Sequence, residues 1–230
     1  MEHLIALPSF DLVAYLMVGI ATVALCDLHL GTGLFFRAEW SVSVGTIVVI
    51  AAYVLGHVIS TFSTLAIELP VVDGWAGRPA VNLLATKEAE KAHAWPARVL
   101  LAPYFDRLDD NTQSKIRERK PHQNDITELF WQAYDTAKTQ EHAFERVTVF
   151  QELYIFFRNV TFVLLLAAII RFPQRRTEKP DPRWWDSPRW QSIIFLVISV
   201  VLFSRYLYFL RAHSIEILTA YAYGAPHPPG

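Results

Sequence analysis

Cysteine is nearly absent from this chain: Cys26 is the only one in 230 residues. That excludes an intrachain disulfide and any thiolate metal cluster. An excess of charge of one sign is also missing. Lys and Arg number 21 against 22 Asp and Glu, for a formal net charge of −1. There is no basic field to draw in nucleic acid, and no nucleic-acid partner is expected. No stretch alternates apolar and polar residues with a period of two, so no strand is expected. Glu2 and His3 stand where a signal peptide carries its basic region. The apolar run behind them is too long for a cleaved leader and is expected to remain as a membrane span.

Enzyme motifs are missing or incomplete. The chain has no His-Glu-x-x-His zinc helix, no phosphate-cradling Gly-rich loop and no Gly-x-Ser-x-Gly elbow. A lipid phosphatase of the acid-phosphatase type needs Lys/Arg-Pro, then Ser-Gly-His, then Ser-Arg with a spaced His. Here Leu55 precedes Gly56-His57, Arg78-Pro79 follows them in the wrong order, and Ser204-Arg205 is too far from His213. Arg158-Asn159 opens an RNase-like Arg-x-x-x-x-His pattern, but Val163 stands in the His position. Asp27 and His29 lie near the opposite membrane face from His57, whereas metal ligands must converge within a few ångströms. No catalytic residue, cofactor or metal is assigned.

What the chain has in quantity is apolar sequence, 53% of its residues, grouped into long blocks. A bilayer core needs about 20 such residues per helix. The first block runs over Leu12–Leu30 and is broken by Gly31-Thr-Gly33. The second covers Ser41–Ser60, continues as an amphipathic helix to Glu68, and is expected to end at Pro70. A third helix is expected from Glu141 to Phe172, spanning over Phe156–Ile170. A fourth is expected over Trp190–Leu210, continuing to about Tyr221.

Between the second and third lies a mixed-charge stretch read as short helices over Val81–His93, Ala97–Leu108 and Thr112–Arg119. Asp125 and Glu128 then form a capping signal ahead of an amphipathic helix. His3, His93, His122 and His142 sit in polar context and are read as solvated. Trp75, between Gly74 and Gly77, reads as a short interfacial anchor.

The expected fold is therefore all-α: a polytopic membrane protein with four transmembrane helices and a small helical extramembrane insert between helices two and three. Its parts are 1–68 (helices one and two), 69–140 (the insert), 141–222 (helices three and four) and 223–230 (a flexible tail). Trp40, Trp184, Trp185 and Trp190 then fall together on the side opposite the insert, as an aromatic belt. Arg37, Arg171, Arg175, Arg176, Lys179, Arg183 and Arg189 favour that side as cytoplasmic. Lys115, Arg117, Arg119 and Lys120 in the insert pull the other way, so sidedness stays open. The composition and shape suit a bacterial inner membrane.

Polar residues recur inside these blocks. On a period of 3.6, Tyr53, His57, Thr61, Thr64 and Glu68 share a face of the second helix, with Ser60 beside Thr61. Glu152, Arg158 and Asn159 cluster on the third, and Arg205, Tyr208, His213 and Glu216 on the fourth. An unpaired charge at that depth costs several kcal/mol, so Glu68 and Glu152 are expected to pair with Arg158 and Arg205. Such pairs can lock helix packing, line a gated polar path or serve catalysis. Gly19, Ala21, Gly45 and Ala51 permit close helix approach, and a homo-oligomer is expected.

The favoured function is non-enzymatic: an oligomeric membrane effector or channel-like subunit, as in bacterial stress or defence systems. It would contact membrane lipids, and its insert would sense or bind a soluble protein partner. The alternatives are an intramembrane lipid-modifying enzyme using His57, Glu68, Glu152 and His213, and a passive membrane anchor.

Overall fold

A computed structural model describes residues 9–31, 33, 40–85, 104–119, 125–172 and 187–224. Among these, every regular element is helical. The elements are α1 (Ser9–Leu30), α2 (Val42–Ser63), a π-helical segment (Thr64–Ala76), α3 (Pro79–Leu84), α4 (Asp110–Arg119), α5 (Ile126–Lys138), α6 (Glu141–Arg171) and α7 (Pro188–Tyr223). The expected helices over residues 86–93 and 97–103, the Arg-rich connection at 173–186 with Trp184 and Trp185, His3, His93, His122 and the tail beyond Gly224 lie outside the described residues.

Three helices are long and apolar enough to cross a membrane: Val42–Leu84, Glu141–Arg171 and Pro188–Tyr223. At 1.5 Å per residue, the 31 residues of α6 and the 36 of α7 reach about 46 and 54 Å. Both exceed the roughly 30 Å of a hydrocarbon core. Ala14–Leu30 of α1 forms a shorter apolar helix.

The chain divides into two compact units. The first comprises Met1–Pro70 and Ile155–Phe203. In it α1 and α2 touch backbone to backbone: a methyl group added at Gly19 would overlap the Ala52 carbonyl, and one at Gly56 the Tyr15 carbonyl. Ala52 and Gly56 are four residues apart, the small-xxx-small spacing that lets membrane helices approach. Val18, Ile59 and Val163 make a small core, flanked by Leu55, Phe156 and Val160. Ser192 donates to the Ala168 carbonyl (2.6 Å) and Ser199 to the Thr161 carbonyl (3.2 Å), pinning α7 to α6. The outer faces carry exposed Ile47, Val54, Val58 and Phe62 on α2, Ile169 and Ile170 on α6, and Ile193, Val197, Val200 and Val201 on α7. A patch this size would be unfavourable in water and suits lipid.

Pro70 does not end the second helix. The chain passes through it as a π-helix to Ala76, and Gly77 stops the helix at φ +75°. A proline ring in an α-helix collides with the carbonyl one turn back. The wider π turn, closed by i to i+5 bonds, moves that carbonyl away, and such adjustments are how membrane helices tolerate proline.

The second unit comprises Val71–Tyr154 and Ser204–Gly230. Pro79 opens α3 from its first turn. Asn82 Nδ2 bonds the Ala76 carbonyl (3.0 Å), and the Tyr104 hydroxyl bonds that of Gly77 (2.7 Å). Residues 106–109 are not helical, so the helix expected to reach Leu108 stops short; the Leu108 N–H instead bonds the Leu83 carbonyl (3.0 Å). Asp125 caps α5, its carboxylate accepting from the N–H groups of Thr127 (2.8 Å) and Glu128 (3.3 Å). Glu128 takes the Gln132 amide instead of reaching back to the cap. Leu83, Ile116, Leu129, Val147, Ile217 and Leu218 belong to the core of this unit.

Candidate functional site

The polar set in the first unit is built around Arg158. Its side chain is 7% exposed, against 30% for Glu68. One terminal nitrogen donates to the Glu68 carboxylate. The other donates to Ser60 Oγ (3.2 Å), and Nε donates to Ser63 Oγ (3.2 Å). Ser63 Oγ in turn lies 2.5 Å from Asn159 Oδ1 and 2.9 Å from the Ser60 carbonyl, either of which can take its one proton. Ser63 and Asn159 are fully buried. The Asn159 amide nitrogen has no hydrogen-bond partner among the described residues.

The local helix geometry explains the assembly. Ser60 and Ser63 are three residues apart and share a face of α2. Glu68 is five beyond Ser63, which in an α-helix sets it about 140° away. The π turn begins at Thr64. With i to i+5 closure, residues five apart stand nearly over one another. The widened turn thus returns Glu68 to the serine face, where it meets the guanidinium.

The stripe expected from a uniform 3.6-residue period is divided as a result. His57 is exposed, its ring stacked on Tyr15 (4.0 Å between centroids, 20°) and edge-on to Tyr53 (4.7 Å, 86°). Thr61 is exposed and donates to the His57 carbonyl (3.2 Å), and Thr64 donates to the Ser60 carbonyl (3.0 Å). These threonines satisfy themselves on their own helix. Ser63, which carries two of the contacts, fell off the expected stripe. Its signal was the Ser60-x-x-Ser63 spacing opposite adjacent Arg158 and Asn159.

The remaining candidates lie in the second unit. Glu152 is half-buried, while Arg205 and Tyr208 are exposed. Glu216 accepts from Arg146 Nε at 3.0 Å, with the arginine largely exposed. His213 is buried between the rings of Tyr154 (5.4 Å between centroids) and Tyr134 (6.4 Å). Its Nε2 has no hydrogen-bond partner among the described residues. Elsewhere in this unit, side-chain and backbone hydrogen bonds from Thr112 hold the exposed Asp109 carboxyl below its ordinary value of 3.8.

Among the described residues no three His, Cys, Asp or Glu side chains are grouped so as to hold a metal ion. The Arg158 set can hold charge and pair it, with Glu68 as its partly exposed end. No family model matches the chain, and no curated protein or solved structure matches it either.

Proposed function

We propose that this chain is a four-pass, non-enzymatic integral membrane protein, an oligomeric effector or channel-like subunit of a bacterial inner membrane. In this reading α1 supplies the first span, its 22 residues reaching about 33 Å. Residues 69–140 form the extramembrane insert that meets a soluble partner. The observation that carries the reading is Arg158, an almost fully buried guanidinium on an apolar helix, paired to Glu68 and held by two serines. A charge inside a membrane helix is costly, and where one is kept it commonly marks a path or a switch. The apolar outer faces of α2, α6 and α7 support membrane insertion.

The test is reconstitution of the purified full chain into vesicles holding a self-quenching dye or potassium, with particle mass measured in detergent. Release by an oligomeric wild type, changed in rate by Glu68→Gln, supports the reading. A monomer that releases nothing at any protein density, with or without Glu68→Gln, overturns it. Lipid turnover lost in His57→Ala with no leak would point to a lipid-modifying enzyme instead. A silent chain that binds one soluble protein would be an anchor.

A further inference from the structure

We infer that the first unit holds a binding cleft for an anionic phospholipid, with Arg171 at its mouth. The inference rests on the membrane reading but not on a pore. The cleft has a volume of about 190 Å³. For scale, an apolar cavity of about 150 Å³ is enough to take up benzene. Its walls are apolar, with Leu25 from α1, Ile59 from α2, Val163 and Leu166 from α6 and Phe195 from α7. It runs from Thr22 and Val163 to Leu30 and Arg171. That is eight residues along each helix, or about 12 Å. An apolar slot of this length on a bundle with apolar outer faces fits hydrocarbon chain better than water or any polar solute.

The mouth supplies the charge selection. Arg171 closes α6, and His29 lies beside the cleft one residue before the end of α1. The Arg171 guanidinium donates to Gln191 Oε1 (2.5 Å) and to the Leu28 carbonyl (3.2 Å). Both acceptors are neutral, and among the described residues no ion pair to a carboxylate takes up the Arg171 charge. A guanidinium has five N–H donors, and those left over match phosphate oxygens. Trp190, exposed beside Gln191 near the start of α7, is the residue type that seats at headgroup level. Acyl chain in the slot and phosphodiester at Arg171 is thus the arrangement that satisfies both ends.

Cys26 lines this cleft and is the chain's only cysteine, so it reports on occupancy without engineering. The full chain is reconstituted in nanodiscs of phosphatidylcholine alone or with phosphatidylglycerol added, and Cys26 is labelled with an apolar maleimide. Resistance to carbonate extraction from vesicles checks membrane insertion first. A chain released by carbonate defeats the membrane reading, and this inference with it.

For an inserted chain, labelling should slow about fivefold when phosphatidylglycerol is present. Arg171→Gln should abolish that difference while labelling normally in phosphatidylcholine. The comparison between the two proteins cancels the effect of surface potential on the thiol, which both share. Native mass spectrometry of the wild type should retain phosphatidylglycerol in preference to phosphatidylcholine, a preference lost in Arg171→Gln. Equal labelling in both lipids overturns the inference. So does equal slowing in Arg171→Gln, which would leave Arg171 as a cap on the Leu28 carbonyl and no more.

Discussion

Removing Glu68 should harm the fold more than removing Arg158, and removing both should harm it least. Deleting one partner of a buried pair costs about 3–5 kcal/mol, because the remaining charge loses its counter-ion and has little water. Arg158 is 7% exposed and Glu68 30%, so the two deletions are unequal. Glu68→Leu strands a buried guanidinium that, among the described residues, keeps the Ser60 and Ser63 hydroxyls as acceptors. The low end of the range applies, about 3 kcal/mol. Arg158→Leu strands a carboxylate that is already partly exposed, at the end of the span, where screening reduces the loss to about 1 kcal/mol. The double Leu variant removes both charges, and replacing a whole buried pair by apolar groups is often neutral or stabilising. Unfolding in mixed micelles with rising dodecyl sulfate, followed by circular dichroism, measures all four corners of the cycle. Equal losses from the two single variants would refute the exposure argument. A double variant as unstable as the sum of the singles would refute the pairing.

Gly56→Leu should force α1 from α2, since its new side chain would overlap the Tyr15 carbonyl; a loss of about 1–3 kcal/mol in the same assay is expected. Gly45→Leu is the control, because among the described residues a Cβ there meets just the Trp40 ring, at 3.9 Å, and it should cost nothing in the same assay. Ser63→Ala leaves Arg158 Nε without its acceptor among the described residues and takes away the hydroxyl 2.5 Å from Asn159 Oδ1, so it should cost about 1–3 kcal/mol. Ser43→Ala, on the exposed N-terminal turn of α2, should cost almost nothing. Asp109→Ala should lower the melting temperature at pH 7. The native carboxyl sits below 3.8, so its stabilisation is full above that pH and disappears as pH falls through the lowered value. Below pH 3.8 the gap between the variant and the wild type should narrow steadily as the pH falls.

Long helices were legible because their signal is long. The end of the first block at Leu30, the start of α6 at Glu141, its end at Arg171 within one residue of the expected Phe172, and the Asp125 cap all follow from runs or motifs of several residues. The helix-to-helix contacts were less legible. Gly19 stood out as small, but its partner Ala52 did not, nor did Gly56 against Tyr15, because close approach depends on how two helices cross and one sequence shows only one helix at a time. The Arg158–Glu68 attraction was legible from desolvation alone. Of the hydroxyls that complete it, Ser60 stood beside the expected stripe but Ser63 did not, because a uniform period of 3.6 gave His57 and Thr61 the central places. Pro70 was read as a stop when it is the mark of a change in helical pitch.

That change in pitch bears on how the proposed membrane path would work. The Arg158 set is electrically balanced, one guanidinium against one carboxylate, with Ser60 and Ser63 taking the other donors. Such a set has no surplus charge with which to hold a passing ion, so it suits a latch better than a binding site. The latch depends on the π turn, because an α-helical register would carry Glu68 about 140° off the Ser63 face. π segments are rare and costly in backbone geometry, and they persist where tertiary contacts hold them. On the proposed reading, then, closing the pair and keeping the π turn are one equilibrium. Glu68→Gln weakens the contact that holds both, so it should raise dye release above the wild-type rate. A lowered rate in Glu68→Gln would mean that the carboxylate conducts, and that the pair is part of the path and not its lock.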